Sequence, residues 1–404
     1  MRLVSAFTPK KAKRHPAPGR IAVLATALLL LLVPSPSSAA QGIYAEEVIV
    51  GTHVDLSGPI SHWGISVHNG IEMAFAEANE AGGINSRDLR LITKDDGYDP
   101  TRATQAVREL IESDRVFAIL SPLGTPTTNV AAGVAIENDV LYLFPVTSAG
   151  QVPSSQSPFI FSLTQSTEYE IATGLRRVLE IRPGNVAIMA SDDDLGRAVR
   201  TSTMAQANAM GATLGADITL THDATDYSIT LGWLRERNID IIVLGTIGNE
   251  TIGIMQAAQR MRWRPTFLCS SSCYTPELAA LGGEIVEGLY AVGQIPIPYT
   301  NDRLLGEWAR NYDEKFGMVA STQALAAYRN ARLFLEVLTR VGRTPTQANF
   351  RHALETLGPY SDPLIDMPPI IFSAEDHSGQ HDVFLAQARR GRWVIIPQIS
   401  PTRL

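Results

Sequence analysis

The chain has 404 residues, 45% of them hydrophobic, and two cysteines, Cys269 and Cys273. Such a length and composition fit a globular protein of two or three domains with a large core. The net charge of −7 argues against nucleic acid or an anionic membrane surface as partner.

The N-terminus reads as an export leader. Arg2 to Arg20 carry six basic side chains and no acid, Ile21 to Val33 form an apolar segment with Thr26 its one polar residue, and Pro34 to Ala40 are small. A basic region, a short apolar region and small residues before a cut describe a signal peptide over 1–40. Cleavage after Ala40 is expected, with Ala45 as an alternative. The apolar run is short for a membrane span, and no cysteine adjoins the cut to carry a lipid. Without the leader, 28 basic face 41 acidic side chains, a charge of −13, and the expected compartment is the periplasm.

From Val48 onward, apolar runs alternate with helical patterns. Strands are expected at Val48–Val54, Leu89–Lys94, Val116–Leu120 and Leu141–Phe144. Helices are expected between them at His68–Ala81, Thr101–Ser113 and Thr127–Asn138. The pattern restarts with strands at Val186–Ala190, Ala216–Leu220, Ile239–Leu244 and Thr266–Cys269. Its helices are Leu195–Met210, Ser228–Arg237 and Thr251–Met261. Such alternation predicts two α/β units, each a parallel sheet covered by helices. A connector at Gln294–Pro298 leads to helices at Asp302–Phe316, Thr322–Arg340 and Pro345–Leu357. Two strands, Asp382–Ala388 and Trp393–Pro397, end the pattern.

Three turns at strand ends carry candidate binding groups, because ligands of open α/β sheets sit beyond the carboxyl ends of the strands. The first is Asp55-Leu56-Ser57-Gly58-Pro59, followed by Trp63, whose flat face and single N–H lie beside it. The second is Gly124-Thr125-Pro126, where a helix start offers free N–H groups and a hydroxyl to an anion. The third, Phe144 to Gly150, offers further hydroxyls. Together they suit one carboxylate.

Other clusters have competing readings. Cys269 and Cys273 read as a local disulfide, free thiols or, less well, a metal site. Asp376, His377 and His381 have a metal-like spacing but lie in a loop. Asp192-Asp193-Asp194 precedes a helix, so capping competes with ion binding. No catalytic motif is present, and neither enzyme activity nor a cofactor is expected.

The motifs Asp55-Leu56-Ser57-Gly58-Pro59, Trp63-Gly64, Ala81-Gly82-Gly83-Ile84-Asn85, Asp95-Asp96-Gly97-Tyr98-Asp99-Pro100, Phe144-Pro145 and Asp376-His377-Ser378-Gly379 occur in order. With them the chain resembles the periplasmic solute-binding proteins of the branched-chain amino acid ABC importers. The resemblance implies two Rossmann-like lobes that close over a ligand, the type I periplasmic binding (Venus-flytrap) fold. Three hinge crossings near Thr164–Ser166, Val292–Pro296 and Ser378–Asp382 would join them. Lobe one would be 46–165 plus 293–379, and lobe two 166–292 plus 380–404. The implied partners are a small carboxylate, amino acid or organic acid, and a cognate membrane permease. A monomer is expected, and a sensor protein in place of the permease is the alternative.

The resemblance also carries residues over one by one. Trp63 falls on the aromatic pocket position, Thr125 on the hydroxyl donor to the ligand carboxylate, and Val146 and Ser148 on the other lobe-one contacts. Leu195, and Ile247 or Gly248, fall where the family often has tyrosines. Ser271 falls where amino acid binders carry an acid for the ligand ammonium. Asp55, Asp193 and Glu250 are the remaining acids that could serve. The family's lobe-one disulfide is replaced by Tyr98 and Gly124. These departures weaken the amino acid signature and make a carboxylate ligand without an amine, such as an aromatic or aliphatic acid, a serious candidate beside an amino acid.

Overall fold

The computed structural model describes residues 40–146, 157–221, 226–298, 303–365 and 367–396. The leader and Ser148 lie outside these residues. Sheet one contains β1 (Glu47–Val54), β2 (Asp88–Asp95), β3 (Ala118–Leu120), β4 (Leu141–Leu143) and β5 (Ile160–Phe161). Its strands are parallel, in the order β2-β1-β3-β4-β5.

Sheet two contains β6 (Val186–Ser191), β7 (Leu214–Leu220), β8 (Ile241–Gly245), β9 (Thr266–Cys269) and β10 (Tyr290–Gly293). These are parallel in the equivalent order β7-β6-β8-β9-β10, and an antiparallel hairpin of β11 (Phe384–Arg389) and β12 (Arg392–Ile395) extends the β10 edge. The central strands β6 and β8 are buried along their whole length. A parallel sheet covered by helices on both faces requires such continuous apolar runs.

The helices are α1 (Ser61–Glu80), α2 (Pro100–Glu112), α3 (Thr125–Glu137), α4 (Thr167–Ile181), α5 (Asp194–Ala209), α6 (Ser228–Glu236), α7 (Gly248–Arg260), α8 (Pro276–Gly282), α9 (Arg303–Phe316), α10 (Thr322–Val341) and α11 (Gln347–Glu355). Helices α9 to α11 pack into the core of sheet one, where Phe334 meets Phe75, Phe117 and Phe350. The chain therefore passes three times between the two sheets: from β5 to α4, from β10 to α9, and from Phe372 to β11.

Two differences from the periodicity have physical causes. No element is expected between Phe144 and Val186, yet β5 and α4 lie there. β5 has two residues, too few to show a period. On α4 the inward stripe is Thr167, Glu170, Ile171, Gly174, Leu175 and Val178, so a carboxyl and a glycine interrupt the apolar pattern. Helix α1 starts at Ser61, earlier than the expected His68, because Trp63-Gly64 belongs to its first turn and not to the preceding loop.

Gly64 allows that early start. A Cβ there would lie 1.8 Å from the Asp55 carbonyl oxygen, and the equivalent atom on Gly196 of α5 would lie 1.9 Å from the Ser191 carbonyl oxygen. Each lobe thus presses the helix that follows its first strand against the end of that strand. Of the readings open for the cysteines, the structure takes the disulfide: Cys269 and Cys273 are bonded, with Cα atoms 6.0 Å apart.

Backbone cannot yield to such contacts without moving the helix, so Gly196→Ala is expected to cost about 2 kcal/mol or more. Urea unfolding would show a lower midpoint at an unchanged slope; a wild-type midpoint would contradict the close-approach account.

Candidate ligand cleft between the lobes

The order 2-1-3-4-5 has its topological switch point between the first and third strands, and a crevice opens there at the strand ends. Both sheets have this order, and their switch points face each other. The cavity between them measures about 110 Å³, below the roughly 300–1,000 Å³ usual for ligand pockets, which suits a small ligand. Larger grooves of about 620 and 570 Å³ lie on the second lobe, but neither is lined by residues of the first.

From the first lobe come Ile60 and Trp63 at the start of α1, Tyr98 after β2, Leu123, Gly124 and Thr125 at the start of α3, Val146, Thr164, and Gln323 on α10. From the second come Leu195 on α5, Ile247 after β8, Ser271 and Ser272 after β9, and Gln294 after β10. Of the eight sequence candidates, Trp63, Thr125, Val146, Leu195, Ile247 and Ser271 meet around this cavity. Gly248 is the adjoining first residue of α7 and is not in the lining, and Ser148 is not described. The Val146 N–H donates to the Pro122 carbonyl at 2.8 Å, so its main-chain donor is already engaged.

No lining residue among those described is charged. The three acids considered as ammonium partners serve their own turns. Asp55 is fully buried and accepts from the N–H groups of Ser57, Gly58 and Ile60. Asp193 caps α5 through Gly196 N–H at 2.8 Å and accepts from the Ser191 hydroxyl. Glu250 accepts from Ile247 N–H at 3.1 Å.

Helix α3, like α1, starts without a side-chain cap and without an acid in its first turn; its N-cap is Gly124. The hydroxyls of Thr127 and Thr128 donate backward to the carbonyls of Leu123 and Gly124, so they do not cap its N–H groups. The positive end of this helix therefore faces the cavity.

Tyr98 packs where Gly124 has no side chain: a Cβ on Gly124 would lie 3.0 Å from the Tyr98 ring. The two positions matched to the family's disulfide thus touch through a ring. Tyr98 adopts a left-handed φ of 60°, held by its N–H donating to Asp96 Oδ1 at 2.9 Å. The other oxygen of Asp96 faces His53 Nδ1 at 2.8 Å, and His53 Nε2 meets the Tyr142 hydroxyl at 2.8 Å. A carboxylate only accepts, so Nδ1 carries the proton. This Asp-His-Tyr chain is wholly buried and supports Tyr98 from behind. Burial, then the fields of Asp193, Glu250, Asp96 and Asp55, keep the Tyr98 hydroxyl protonated well above its usual range.

One cleft acid had no sequence signal. Glu170, fully buried on α4, accepts from Ser271 N–H at 3.0 Å, from the Ser271 side chain and from Gln294 Nε2. Burial raises its carboxyl to about 7, against those hydrogen bonds. The only clue in sequence was a charge at a stripe position of a helix that was itself unexpected.

The crossings are tied by three glutamines. Gln294 Oε1 accepts from Gln165 N–H at 2.6 Å, Gln165 Nε2 donates to the Gln380 carbonyl, and Gln380 Nε2 donates to the Gln294 carbonyl at 3.3 Å. Buried Arg329 donates to Gln380 Oε1 at 2.8 Å. Asn129 of α3 also donates to Asp194 of α5 at 3.0 Å, a bond between the lobes.

The metal reading of the histidines fails. His377 is buried, stacks on Phe161 at 3.9 Å and bonds to the Ile160 carbonyl and Glu355, whereas His381 is exposed and pairs with Asp376. Among the described residues no cluster of ligands could hold a metal ion.

The family model described as periplasmic binding protein matches residues 47–392. The Leu/Ile/Val-binding protein of Escherichia coli K12 is 24% identical over 246 residues, 61% of this chain and 67% of that protein. A possible leucine/isoleucine/valine-binding protein from Rhodopirellula baltica superposes with a TM-score of 0.77 at 20% identity, over 87% of this chain and 97% of that one. A solute-binding protein of an ABC transporter from R. palustris, in complex with benzoate, superposes at 0.76 and 14% identity, over 87% and 95%.

Because the folded pKa of Glu170, about 7, exceeds the usual 4.5, the fold favours its protonated form. The stability this gives is fully present below pH 4.5 and is lost as pH rises through about 7, by up to about 3 kcal/mol. Glu170→Gln, which copies the protonated acid, should gain on wild type by that order between pH 4.5 and 8 in paired melts. A constant difference would show that Glu170 ionises normally.

Proposed function

The chain belongs to the periplasmic binding protein family, and on that premise we propose that it is the solute receptor of an ABC importer of the branched-chain amino acid type, holding a small carboxylate between two closing lobes. The observation that carries the ligand class is the start of α3. The N-cap Gly124 has no side-chain cap, the first turn has no acid, and the positive helix end lies at a cavity with no charged residue among the described lining. A carboxylate would supply the negative charge that complements this helix end.

Leu/Ile/Val ligands of the Escherichia coli relative and the benzoate of the R. palustris neighbour are all carboxylates. The rest of the described lining is apolar or neutral, with Trp63, its ring tilted by 53° to that of His62, as one wall, so a small aliphatic or aromatic group would lie against it.

We place lobe one at 46–165 plus 293–379 and lobe two at 166–292 plus 380–404, the last eight residues of which are not described. The Gln165–Gln294–Gln380 network lies in all three crossings and would act as the hinge. The leader over 1–40 would export the chain to the periplasm, where the Cys269–Cys273 bond persists. No helix among the described residues is long and apolar enough to cross a membrane, so delivery to the cytoplasm would fall to a membrane permease that docks on the closed lobes. Ligand capture and release, without turnover, is the whole of the activity proposed.

A thermal-shift screen of amino acids, aromatic acids, aliphatic acids and their amides tests the ligand class. At least one carboxylate should raise the melting temperature by mass action while its amide does not. Stabilisation by amides alone would overturn the proposal. Trp63→Ala should weaken the best binder at least about tenfold, measured by calorimetry; unchanged affinity would remove Trp63 from the pocket wall.

A further inference from the structure

We propose that the Tyr98 ring sets the upper size of the ligand, and that His53, which lies outside the described lining, is the positioning residue that holds the ring in place. The proposal rests on the carboxylate reading above and deepens it, from the class of the ligand to its bulk.

The ring occupies one side of a small cavity. Tyr98 lines the space of about 110 Å³, and its Cε2 and Cδ2 atoms would lie 3.0 and 3.2 Å from a Cβ on Gly124. It therefore stands over the turn that starts α3, where the carboxylate reading puts the ligand's charged end. Burial first, then the fields of Asp193 and Glu250 at the starts of α5 and α7, keep its hydroxyl protonated, so the ring extends toward the second lobe. A ligand held at Gly124 by its carboxylate has to run its other end past this ring. A packed wall does not yield cheaply to extra atoms, so the ring limits the length and width of that end.

The ring is there because the backbone is held in a conformation that tyrosine disfavours. Gly97 and Tyr98 have left-handed φ values of 57° and 60°. Glycine reaches that region freely, whereas a residue with a Cβ is strained in it. Reversing φ at Tyr98 would redirect its Cα–Cβ bond and take the ring off Gly124. Two carboxylates oppose this: Asp95 Oδ1 accepts from Gly97 N–H at 3.0 Å, and Asp96 Oδ1 from Tyr98 N–H at 2.9 Å.

Asp96 serves only while its own plane is fixed. It is fully buried, so an unpaired second oxygen would turn to find a donor. His53 Nδ1 is that donor at 2.8 Å, and the Tyr142 hydroxyl meets His53 Nε2 at 2.8 Å. The donors run one way, from the Tyr142 O–H to His53 and from His53 to Asp96. His53 lies on β1 and Tyr142 on β4, with β3 between them, so the chain anchors the ring deep in the sheet. A buried Asp-His-Tyr set invites a catalytic reading, but none of the three is in the described lining.

The test uses two series of increasing bulk: valine, leucine and phenylalanine, and the same acids without the amine, 3-methylbutanoate, 4-methylpentanoate and 3-phenylpropanoate. Affinities for the purified protein are measured by calorimetry, and the readout is the ratio of the smallest to the phenyl member within whichever series binds. Wild type should favour the smallest member at least about tenfold, the scale of steric discrimination in a packed pocket. Tyr98→Ala should shrink that ratio at least about tenfold, and Tyr98→Phe, which keeps the ring, should retain it. Tyr98→Gly, which suits a left-handed φ, serves if the alanine variant does not fold. His53→Asn, too short to hold both Asp96 and Tyr142, should shrink the ratio at least about threefold. It should change the ratio no further in the Tyr98→Ala background. Tyr142→Phe, which removes only the far hydroxyl, replaces it if it does not fold.

Equal binding of the small and phenyl members by wild type, a wild-type ratio in Tyr98→Ala, or a lost ratio in Tyr98→Phe overturns the inference and leaves the carboxylate reading standing. An effect of His53→Asn that persists without the Tyr98 ring overturns the positioning role of His53. Failure of every member of both series to bind overturns the carboxylate reading and this inference with it.

Discussion

The site depends on one topological constraint. Two parallel sheets of the same strand order face each other across a gap, and every strand points its carboxyl end toward it. Four helices begin at that gap, α1 and α3 in one lobe and α5 and α7 in the other. Helix starts bring unsatisfied N–H groups and a positive dipole end. Asp193 caps α5 and Glu250 lies in the first turn of α7, whereas α1 and α3 start without a side-chain cap or a first-turn acid, and the start of α3 at Gly124 lines the cavity.

Close backbone approach maintains that arrangement. Gly64 and Gly196 let α1 and α5 begin against the strand ends, and Gly124 lets the Tyr98 ring lie on the α3 turn. Behind Tyr98, the buried Asp96–His53–Tyr142 chain fixes a strained φ that an unsupported tyrosine would leave. The buried triad is thus a support for a residue that lines the cavity. At the crossings each glutamine side chain bonds to a main-chain group of a neighbouring crossing, with Arg329 donating to Gln380 and Gln294 to Glu170.

The first-lobe wall was readable because its residues sit in local turns. Asp55-Leu56-Ser57-Gly58-Pro59, Gly124-Thr125 and Trp63 each announce a strand end or helix start within a few positions, and Trp63, Thr125 and Val146 meet at the cavity. The second-lobe wall was harder. Leu195, Ile247 and Ser271 carry no local signature of binding, and only resemblance placed them there. Tyr98 was quoted as part of a motif, but its place in the lining depends on Gly124, 26 positions away. Gln294 and Gln323 gave no signal, because a glutamine in a connector or helix start has no period.

By itself the sequence determined the alternation of strands and helices, the turns at the strand ends and the apolar runs of the parallel sheets. These are local properties: they follow from residue period, from capping residues and from glycine at close approaches. Only the tertiary structure decided that α4 exists where Glu170 and Gly174 break its stripe, that Cys269 and Cys273 pair, and that Glu170 stands behind Ser271. That last contact spans 101 residues. No pattern read along the chain can announce it, because the free energy of a buried carboxyl depends on donors that folding brings from other strands.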